Sequence, residues 1–338
     1  MINVKVSMPS HGKNLNFKNF FSKDETPNIN FHINTNIDIA DFWFVFEDLN
    51  IDKDTCKVPK KNVFYFNNET SFPQDYFFQT YLVKYLNQFE KTFGCYANRN
   101  ADHVNVPPFL PWMIHGNHGD SIYKSTDLNY DFLSKLNIID KPIDLSVICS
   151  NKTITANHSL RLEFVKNLKN YFGDKLIWYG NGVNSLNKKS ELIFKSKYHI
   201  SIENDYRYNL ISEKLYDSFL GLSVPIYYGA SNVSDYFEKD SVVPINIHNF
   251  NESVITIENI LKSNFYEENF HSLLKSRDIV LGELNLYRRL CKIVENNQKI
   301  DTEDRELVTL YNSFYFWNKY SSNRKKIKKY IKRKLRIR

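Results

Sequence analysis

The stretch from Lys197 to Gly229 decides the fold, and it reads KYHISIENDYRYNLISEKLYDSFLGLSVPIYYG. Apolar and polar residues alternate up to Ile202, which predicts a β-strand. The polar segment over residues 203–209 predicts a loop. Ser212 can cap a helix that is apolar on one side and ends at Gly221, and the apolar run after it predicts a second strand. This order of elements indicates one unit of a parallel α/β sheet.

The predicted helix begins with a charged pair. Glu213 and Lys214 occupy its first turn, where free backbone N–H groups and the positive end of the helix dipole favour a phosphate. The lysine adds a full positive charge, and the carboxylate beside it can accept hydrogen bonds from sugar hydroxyls. The pair therefore predicts a sugar-nucleotide site. The alternative is that both residues are solvated first-turn residues of an ordinary α/β helix.

These residues resemble the donor-binding signature of glycosyltransferase family 10, the α-1,3/α-1,4-fucosyltransferases. In that family a Phe-Glu-Asn strand end precedes a Tyr-rich loop, a Thr-Glu-Lys helix start and a strand ending in Pro-Ile/Val-x-x-Gly. The matching residues are Ile202-Glu203-Asn204, Tyr208, Ser212-Glu213-Lys214 and Val224-Pro225-Ile226-Tyr227-Tyr228-Gly229. Ile202 replaces the usual Phe, and Leu210 stands where a Tyr is common.

The resemblance implies a GT-B architecture, in which two Rossmann-like α/β domains face each other across a cleft and C-terminal helices follow. We expect an acceptor-binding domain over 1–142, a GDP-sugar donor-binding domain over 143–300, and helices with a basic tail over 301–338. Sequence patterns predict strands at Asn3–Met8, Asp41–Phe46, Asn62–Phe66, Leu145–Cys149 and Lys175–Tyr179. They predict helices at Phe77–Phe89, Ser159–Phe172, Leu273–Leu290 and Leu307–Trp317.

Arg161 is a further candidate for donor binding. The prediction places it in the first turn of a helix that begins at Ser159, directly after a strand. Ligands of parallel sheets lie at the carboxyl ends of the strands, so we expect Arg161 beside Lys214. A guanidinium can hold a diphosphate with two parallel hydrogen bonds. The alternative is a surface arginine paired with Glu163 or Asp174.

The family resemblance implies that the chain moves L-fucose from GDP-fucose, with inversion, to a hydroxyl of an acceptor glycan. We expect position 3 or 4 of an N-acetylglucosamine-containing surface oligosaccharide. Arg161, Lys214 and the helix start at Ser212 would stabilise the departing GDP, while Asn204 and Glu213 would orient sugar hydroxyls. No cofactor and no metal site are expected to be required, and a divalent cation would at most stimulate the reaction.

The reaction also needs a base for the acceptor hydroxyl. In relatives it is expected to be a carboxylate of the N-terminal domain that follows a strand. Asp102 and Glu69 are the candidates here. The same half of the chain also carries His103, His115 and His118, any of which could titrate usefully.

The net charge of +7 lies mostly in the last fifteen residues. Residues 324–338 hold ten basic and no acidic side chains, which leaves the rest of the chain at −3. As a helix, this tail would place its apolar residues on one face, which is typical of a helix on an anionic membrane surface. We expect a cytoplasmic protein bound peripherally to the inner face of the membrane, without a signal peptide. A solvated end and a nucleic-acid contact are the alternatives, although no nucleic-acid partner is expected.

Two other classes of protein stay open. The D-x-D of Asp52-Lys53-Asp54 could hold a metal ion for a metal-dependent glycosyltransferase that uses another nucleotide sugar. Interleaved aromatic and basic residues near the C-terminus could belong to a non-catalytic glycan- or nucleic-acid-binding protein.

The four cysteines are far apart, so neither a zinc ribbon nor a disulfide framework is indicated. The sequence has no G-x-G-x-x-G or P-loop motif, which weighs against dehydrogenases and P-loop enzymes.

Overall fold

A computed structural model describes residues 1–9, 15–68, 76–116, 127–137, 140–297 and 304–321. The chain forms two compact units. The first unit comprises Met1–Lys13, Pro27–Val106 and Val294–Arg338, and the second comprises Asn14–Thr26 and Pro107–Ile293. Both units are discontinuous in sequence, unlike the contiguous domains that we predicted.

The first unit is built on a six-stranded parallel sheet in the order β2-β1-β3-β5-β6-β7. Along the chain, this unit begins with the strands β1 (Ile2–Ser7), β2 (Ile29–Ile33), β3 (Phe42–Phe46), β4 (Lys53–Pro59), β5 (Val63–Phe66), β6 (Lys91–Gly94) and β7 (His103–Asn105). All of these except β4 belong to the six-stranded sheet. Strand β3 is buried throughout, and stacked rings run from it into β5 and β6. The predicted strands of this half are confirmed to within two residues at each end.

Helix α1 (Thr80–Leu86) lies between β5 and β6 and is shorter than the predicted helix Phe77–Phe89. The segment Tyr76–Phe78 forms a separate 3-10 turn before it. The predicted helix therefore extends beyond the observed α-helix at both ends.

The C-terminal part of the first unit corrects a prediction. Residues from Leu307 onward were predicted to be helical, but Arg305–Tyr311 forms strand β13. All seven residues of β13 pair in antiparallel register with β4. Helix α10 (Ser313–Tyr320) follows it, after an N-cap at Asn312. Pairing between segments about 250 residues apart has no signature in the local sequence, and it decided the structure here.

The second unit carries a five-stranded parallel sheet in the order β12-β11-β10-β8-β9. The strands are β8 (Ile143–Ile148), β9 (Leu176–Tyr179), β10 (Ser196–Arg207), β11 (Val224–Ala230) and β12 (Val243–Pro244). The helices are α2 (Tyr130–Ser134), α3 (Ala156–Phe172), α4 (Ser190–Ile193), α5 (Glu213–Leu220), α6 (Phe250–Leu261), α7 (Phe265–Glu268), α8 (Phe270–Leu281) and α9 (Leu286–Asn296).

Three boundaries in this unit differ from the predictions. The loop predicted over residues 203–209 is mostly strand, since β10 continues to Arg207 with an irregular register after Ile202. Helix α3 begins at Ala156, three residues before the predicted start at Ser159. The helix predicted over Leu273–Leu290 is two helices, α8 and α9, and α8 ends with Gly282 as its C-cap.

The predicted α/β class is confirmed, because each unit contains a parallel sheet with helices between its strands. Two units of this kind are the components of a GT-B fold. Within the described residues, no helix is both long enough and apolar enough to cross a bilayer.

The chain order of the second sheet reverses between β8 and β10, because β9 lies on one side of β8 and β10 on the other. Ligands of parallel sheets bind outside the carboxyl ends of strands at such a switch point.

Candidate functional site

A pocket of about 310 Å³ lies at the switch point of the second sheet. It is lined by side chains and backbone that follow β8, β9 and β10, and by the start of α5: Ile148, Ser150, Lys152, His158, Arg161, Gly180, Asn181, Ser185, Leu186, Lys189, Asn204, Glu213 and Lys214. A volume of this size is at the lower end of the range for small-molecule sites. The predicted donor residues Arg161, Asn204, Glu213 and Lys214 therefore meet at one pocket.

Two glycines bring the loops after β8 and β9 together at the pocket. Gly180 has a φ of +157°, and a Cβ atom there would lie 2.1 Å from the carbonyl oxygen of Cys149. Gly182 has a φ of +77°, and a Cβ atom there would lie 2.2 Å from the side chain of Asn151. Asn151 donates hydrogen bonds from its backbone to Asn181 and from its side chain to Gly182. The absence of side chains at these two positions therefore lets the two loops approach each other.

The start of α5 is held by a buried carboxylate. Ser212 is the N-cap, as predicted, and its Oγ accepts a hydrogen bond from the backbone N–H of Lys214. The backbone N–H and Oγ of Ser212 donate to Oε1 of Glu203 at 2.9 and 2.8 Å, and Oγ lies 2.6 Å from Oε2. Glu203 is 1% exposed. The last residues of β10 thus fix the direction of α5.

Lys214 is surrounded by both glutamates of the motif. Its Nζ lies 3.0 Å from Oε1 of Glu213 and 3.4 Å from Oε2 of Glu203. Burial acts to lower the pKa of Lys214, but the two carboxylates raise it. Burial would also raise the pKa of Glu213, but the charges of Lys214 and Lys189 bring it to about 2. Burial raises the pKa of Glu203. Lys214 is therefore a cation in close contact with carboxyl groups.

Arg161 reaches the pocket from the second turn of α3, not from its first turn, because Thr155 is the N-cap of this helix. Its Nη1 donates to Oδ1 of Asn204 at 2.5 Å. Its Nε is buried and has no hydrogen-bond acceptor among the described residues. Arg161 is 7% exposed, so the predicted surface pairing with Glu163 or Asp174 is not what the structure contains.

The predicted Pro-Ile-x-x-Gly strand is β11, which continues to Ala230, and a glycine stands at position 229 for a steric reason. A Cβ atom at this position would lie 2.3 Å from the hydroxyl oxygen of Tyr227 and 2.4 Å from Cγ of Glu203. That hydroxyl donates to the carbonyl of Leu210 and accepts from the backbone N–H of Ala230. Gly229 therefore makes room for the carboxylate that holds the start of α5.

Two predicted donor residues lie apart from the pocket lining. Tyr208 follows the end of β10 and is 55% exposed. Ser212 is fully buried, and its hydroxyl bonds to Glu203 and Lys214. Ser212 thus supports α5, whereas Tyr208 lies outside the pocket lining.

The candidate bases were expected in the N-terminal half of the chain. Glu69 and His118 lie outside the described residues. Asp102 is exposed and precedes β7, at the amino edge of the parallel sheet. His103 lies within β7, and burial lowers its pKa. His115 is buried and lies in the second unit. Parallel sheets present ligand-binding groups at the opposite, carboxyl edge, so the position of Asp102 does not support its role as the base.

The D-x-D motif is part of the scaffold of the first unit. Asp54 lies on β4, not in a loop, and its carboxylate pairs with buried Lys5 at 2.9 Å. Asp52 accepts a hydrogen bond from the side chain of Asn312. Among the described residues there is no group of three or more His, Cys, Asp or Glu side chains that could hold a metal ion.

Sequence reasoning assigned no role to two residues of the site. Glu203 stood in the motif, but only the structure places its carboxylate beneath Ser212 and Lys214. Lys189 lines the pocket and pairs with Asp217 at 2.7 Å. An acidic residue between an apolar strand and a helix cap could have drawn attention to Glu203. No local signal marked Lys189, because its partner lies 28 residues away.

A parallel α/β unit with a cation-lined pocket at its switch point is the arrangement of nucleotide-binding domains. Comparison with known proteins relates part of the chain to a family. Residues 141–308 match the model of glycosyltransferase family 10 (fucosyltransferase), C-terminal part. The match covers just under half of the chain, and over these residues the predicted family is confirmed.

The similarity to individual proteins is limited in extent. The alpha-(1,3)-fucosyltransferase FucT of Helicobacter pylori is 30% identical over 66 residues, which are 20% of this chain and 13% of that protein. A crystal structure of an alpha1,3-fucosyltransferase with GDP-fucose is 15% identical, covers 89% of this chain and 91% of its own, and has a TM-score of 0.49. A trehalose-6-phosphate synthase, OtsA, is 9% identical over 77% of this chain and 73% of its own, with a TM-score of 0.48.

Proposed function

We propose that the protein transfers L-fucose from GDP-fucose to a hydroxyl of an acceptor glycan, with inversion at the anomeric carbon. The expected acceptor position is 3 or 4 of an N-acetylglucosamine-containing surface oligosaccharide. The observation that carries this proposal is the meeting of Arg161 and Lys214 at one pocket within the residues that match family 10.

The pocket supplies the positive charge that the leaving group needs. In a single displacement, negative charge develops on the diphosphate as the bond to the sugar breaks. Arg161 and Lys214 both line the pocket, and Lys214 lies in the first turn of α5, so both can contact phosphate oxygens. Glu213 and Asn204 line the same pocket and offer acceptors to sugar hydroxyls. We propose that no metal ion is required, and transfer that persists in excess EDTA would support this.

For the base we propose Glu47. It follows β3 directly at the carboxyl edge of the first sheet, and its φ is +62°, which is uncommon for a residue with a side chain. Unusual backbone of this kind often occurs at functional sites. Its neighbour Asp48 accepts hydrogen bonds from the backbone and hydroxyl of Ser313 and therefore supports α10. Glu47→Gln should lower transfer at least about tenfold while GDP binding is retained, and equal transfer rates would exclude Glu47.

The decisive experiment compares GDP-fucose with other sugar nucleotides. Wild-type protein should release GDP from GDP-fucose faster than nucleotide from UDP-glucose or GDP-mannose, and an acceptor carrying N-acetylglucosamine should accelerate this release. When variants of the pocket residues are assayed in the same way, Lys188→Met serves as their control, because Lys188 pairs with Asp127 at the surface and does not line the pocket. A protein that binds no GDP and releases none from any donor would refute the proposal.

We also propose that residues 324–338 bind an anionic membrane surface and hold the enzyme at the cytoplasmic face. The tail follows α10, in which Phe314 and Tyr320 are 48% and 39% exposed. Aromatic rings next to basic residues favour the interface of a bilayer. Removal of 324–338 should leave turnover of a soluble acceptor intact and abolish co-sedimentation with vesicles that contain phosphatidylserine. Unchanged co-sedimentation would exclude this role.

A further inference from the structure

We propose that Lys189 is a third phosphate-binding cation of the donor pocket, and that buried Asp217 positions it. This inference rests on the proposed binding of a nucleoside diphosphate, and it adds two residues that the sequence motif does not contain. The observations that support it are the ion pair between the two side chains, the burial of Asp217 and the position of Lys189 in the pocket lining.

The backbone of Lys189 is fixed. Its carbonyl oxygen accepts hydrogen bonds from the backbone N–H groups of Leu192 and Ile193, at the start of α4. The next residue, Ser190, donates from its backbone to Ile114 at 2.9 Å. The side chain of Lys189 therefore leaves from a rigid point, so that its reach into the pocket does not depend on loop ordering.

Asp217 directs the ammonium group of Lys189. It lies on α5, one turn after Lys214, and its side chain is 1% exposed. Oδ2 accepts from Nζ of Lys189 at 2.7 Å, while Oδ1 accepts from the backbone N–H of Met113 at 2.8 Å. Both oxygens of the carboxylate are thus engaged, which holds it in one orientation. An ammonium group has three donors, so two remain after the bond to Asp217.

Lys189 also borders a smaller cavity beneath the pocket. This cavity of about 30 Å³ is lined by Lys189, Lys214, Asp217 and His199 among others, and it is large enough for one water molecule. Burial lowers the pKa of His199 to about 3, so this ring is neutral and carries no positive charge that would attract the diphosphate. The pocket therefore presents three fixed cations, Arg161, Lys189 and Lys214, from three different elements.

Calorimetric titration of the full chain with GDP tests the inference. Lys189→Met should weaken GDP binding by about 10- to 100-fold, as expected for the loss of a charge-assisted hydrogen bond. Lys188→Met is the matched control and should bind GDP as the wild type does, because its side chain is paired at the surface. Lys189→Arg should retain binding better than Lys189→Met, since it keeps the charge.

Asp217→Asn separates positioning from charge. The variant keeps an acceptor for Met113 and makes the pocket more positive by one unit. If Asp217 positions Lys189, GDP binding should weaken by about fivefold or more despite the added positive charge. Tighter or unchanged binding would overturn the role of Asp217. Wild-type affinity in Lys189→Met would overturn the role of Lys189, whereas a wild-type protein that does not bind GDP would refute the proposed function itself.

Discussion

Substitution of Lys214 by methionine should reduce both stability and transfer, and the two effects can be separated. The side chain of Glu203 is fully buried beside Lys214, while Lys214 itself is 24% exposed. Removal of one partner of a buried ion pair typically costs about 3–5 kcal/mol, and because Lys214 is partly exposed we expect a loss of about 3 kcal/mol. In a unit of this size that corresponds to a decrease in Tm of about 6–12 °C.

The double variant Lys214→Met with Glu203→Gln removes the unpaired buried charge. Glutamine keeps an oxygen that can accept from the backbone N–H of Ser212, so the start of α5 should be preserved. We therefore expect thermal unfolding of the double variant to recover at least half of the lost Tm, while transfer from GDP-fucose stays at least about tenfold below wild type. Recovery of transfer in the double variant would show that Lys214 acts on stability alone. A Lys214→Met variant that melts with the wild type would refute the ion-pair reasoning.

Arg161→Ala should lower transfer at least about tenfold, because a charge-assisted contact to the leaving group is lost; near-normal steady-state kinetics would contradict this. Gly229→Ala should lower the free energy of unfolding by about 1–3 kcal/mol, because the new Cβ overlaps Glu203, and thermal unfolding equal to wild type would count against the packing argument. Buried Lys141 donates to Ile193, Gly221 and Ser223, and burial lowers its pKa to about 7 from 10.5. The unfolded chain then binds the extra proton between about pH 7 and 10, so denaturant titrations should show stability rising with pH by at most about 1.4 kcal/mol per unit, and this slope should be absent in Lys141→Met.

Local signals in the sequence predicted the elements around the site well. Alternating apolar residues marked β10, Ser212 marked the start of α5 and Gly221 its end. Each of these signals acts within a few residues, since capping and strand alternation are short-range effects. They also carried the resemblance to family 10, which the match over residues 141–308 confirms.

Long-range pairing was beyond these signals. The strand β13 was predicted to be part of a helix, because its aliphatic and aromatic residues fit either period when taken alone. Its seven-residue ladder with β4 is made between segments far apart in the chain, and that ladder outweighs local preference. The same pairing places the C-terminal segment in the first unit, which a division by sequence order did not anticipate.

The sequence by itself determined the α/β class, the helix start that carries Glu213 and Lys214, and the family. Only the tertiary structure decided the electrostatics of the pocket: the buried carboxylate of Glu203 against Lys214, and the pairing of Lys189 with Asp217. The physical reason is that a charge acts through space, so that its environment depends on which distant elements the fold brings within a few ångströms.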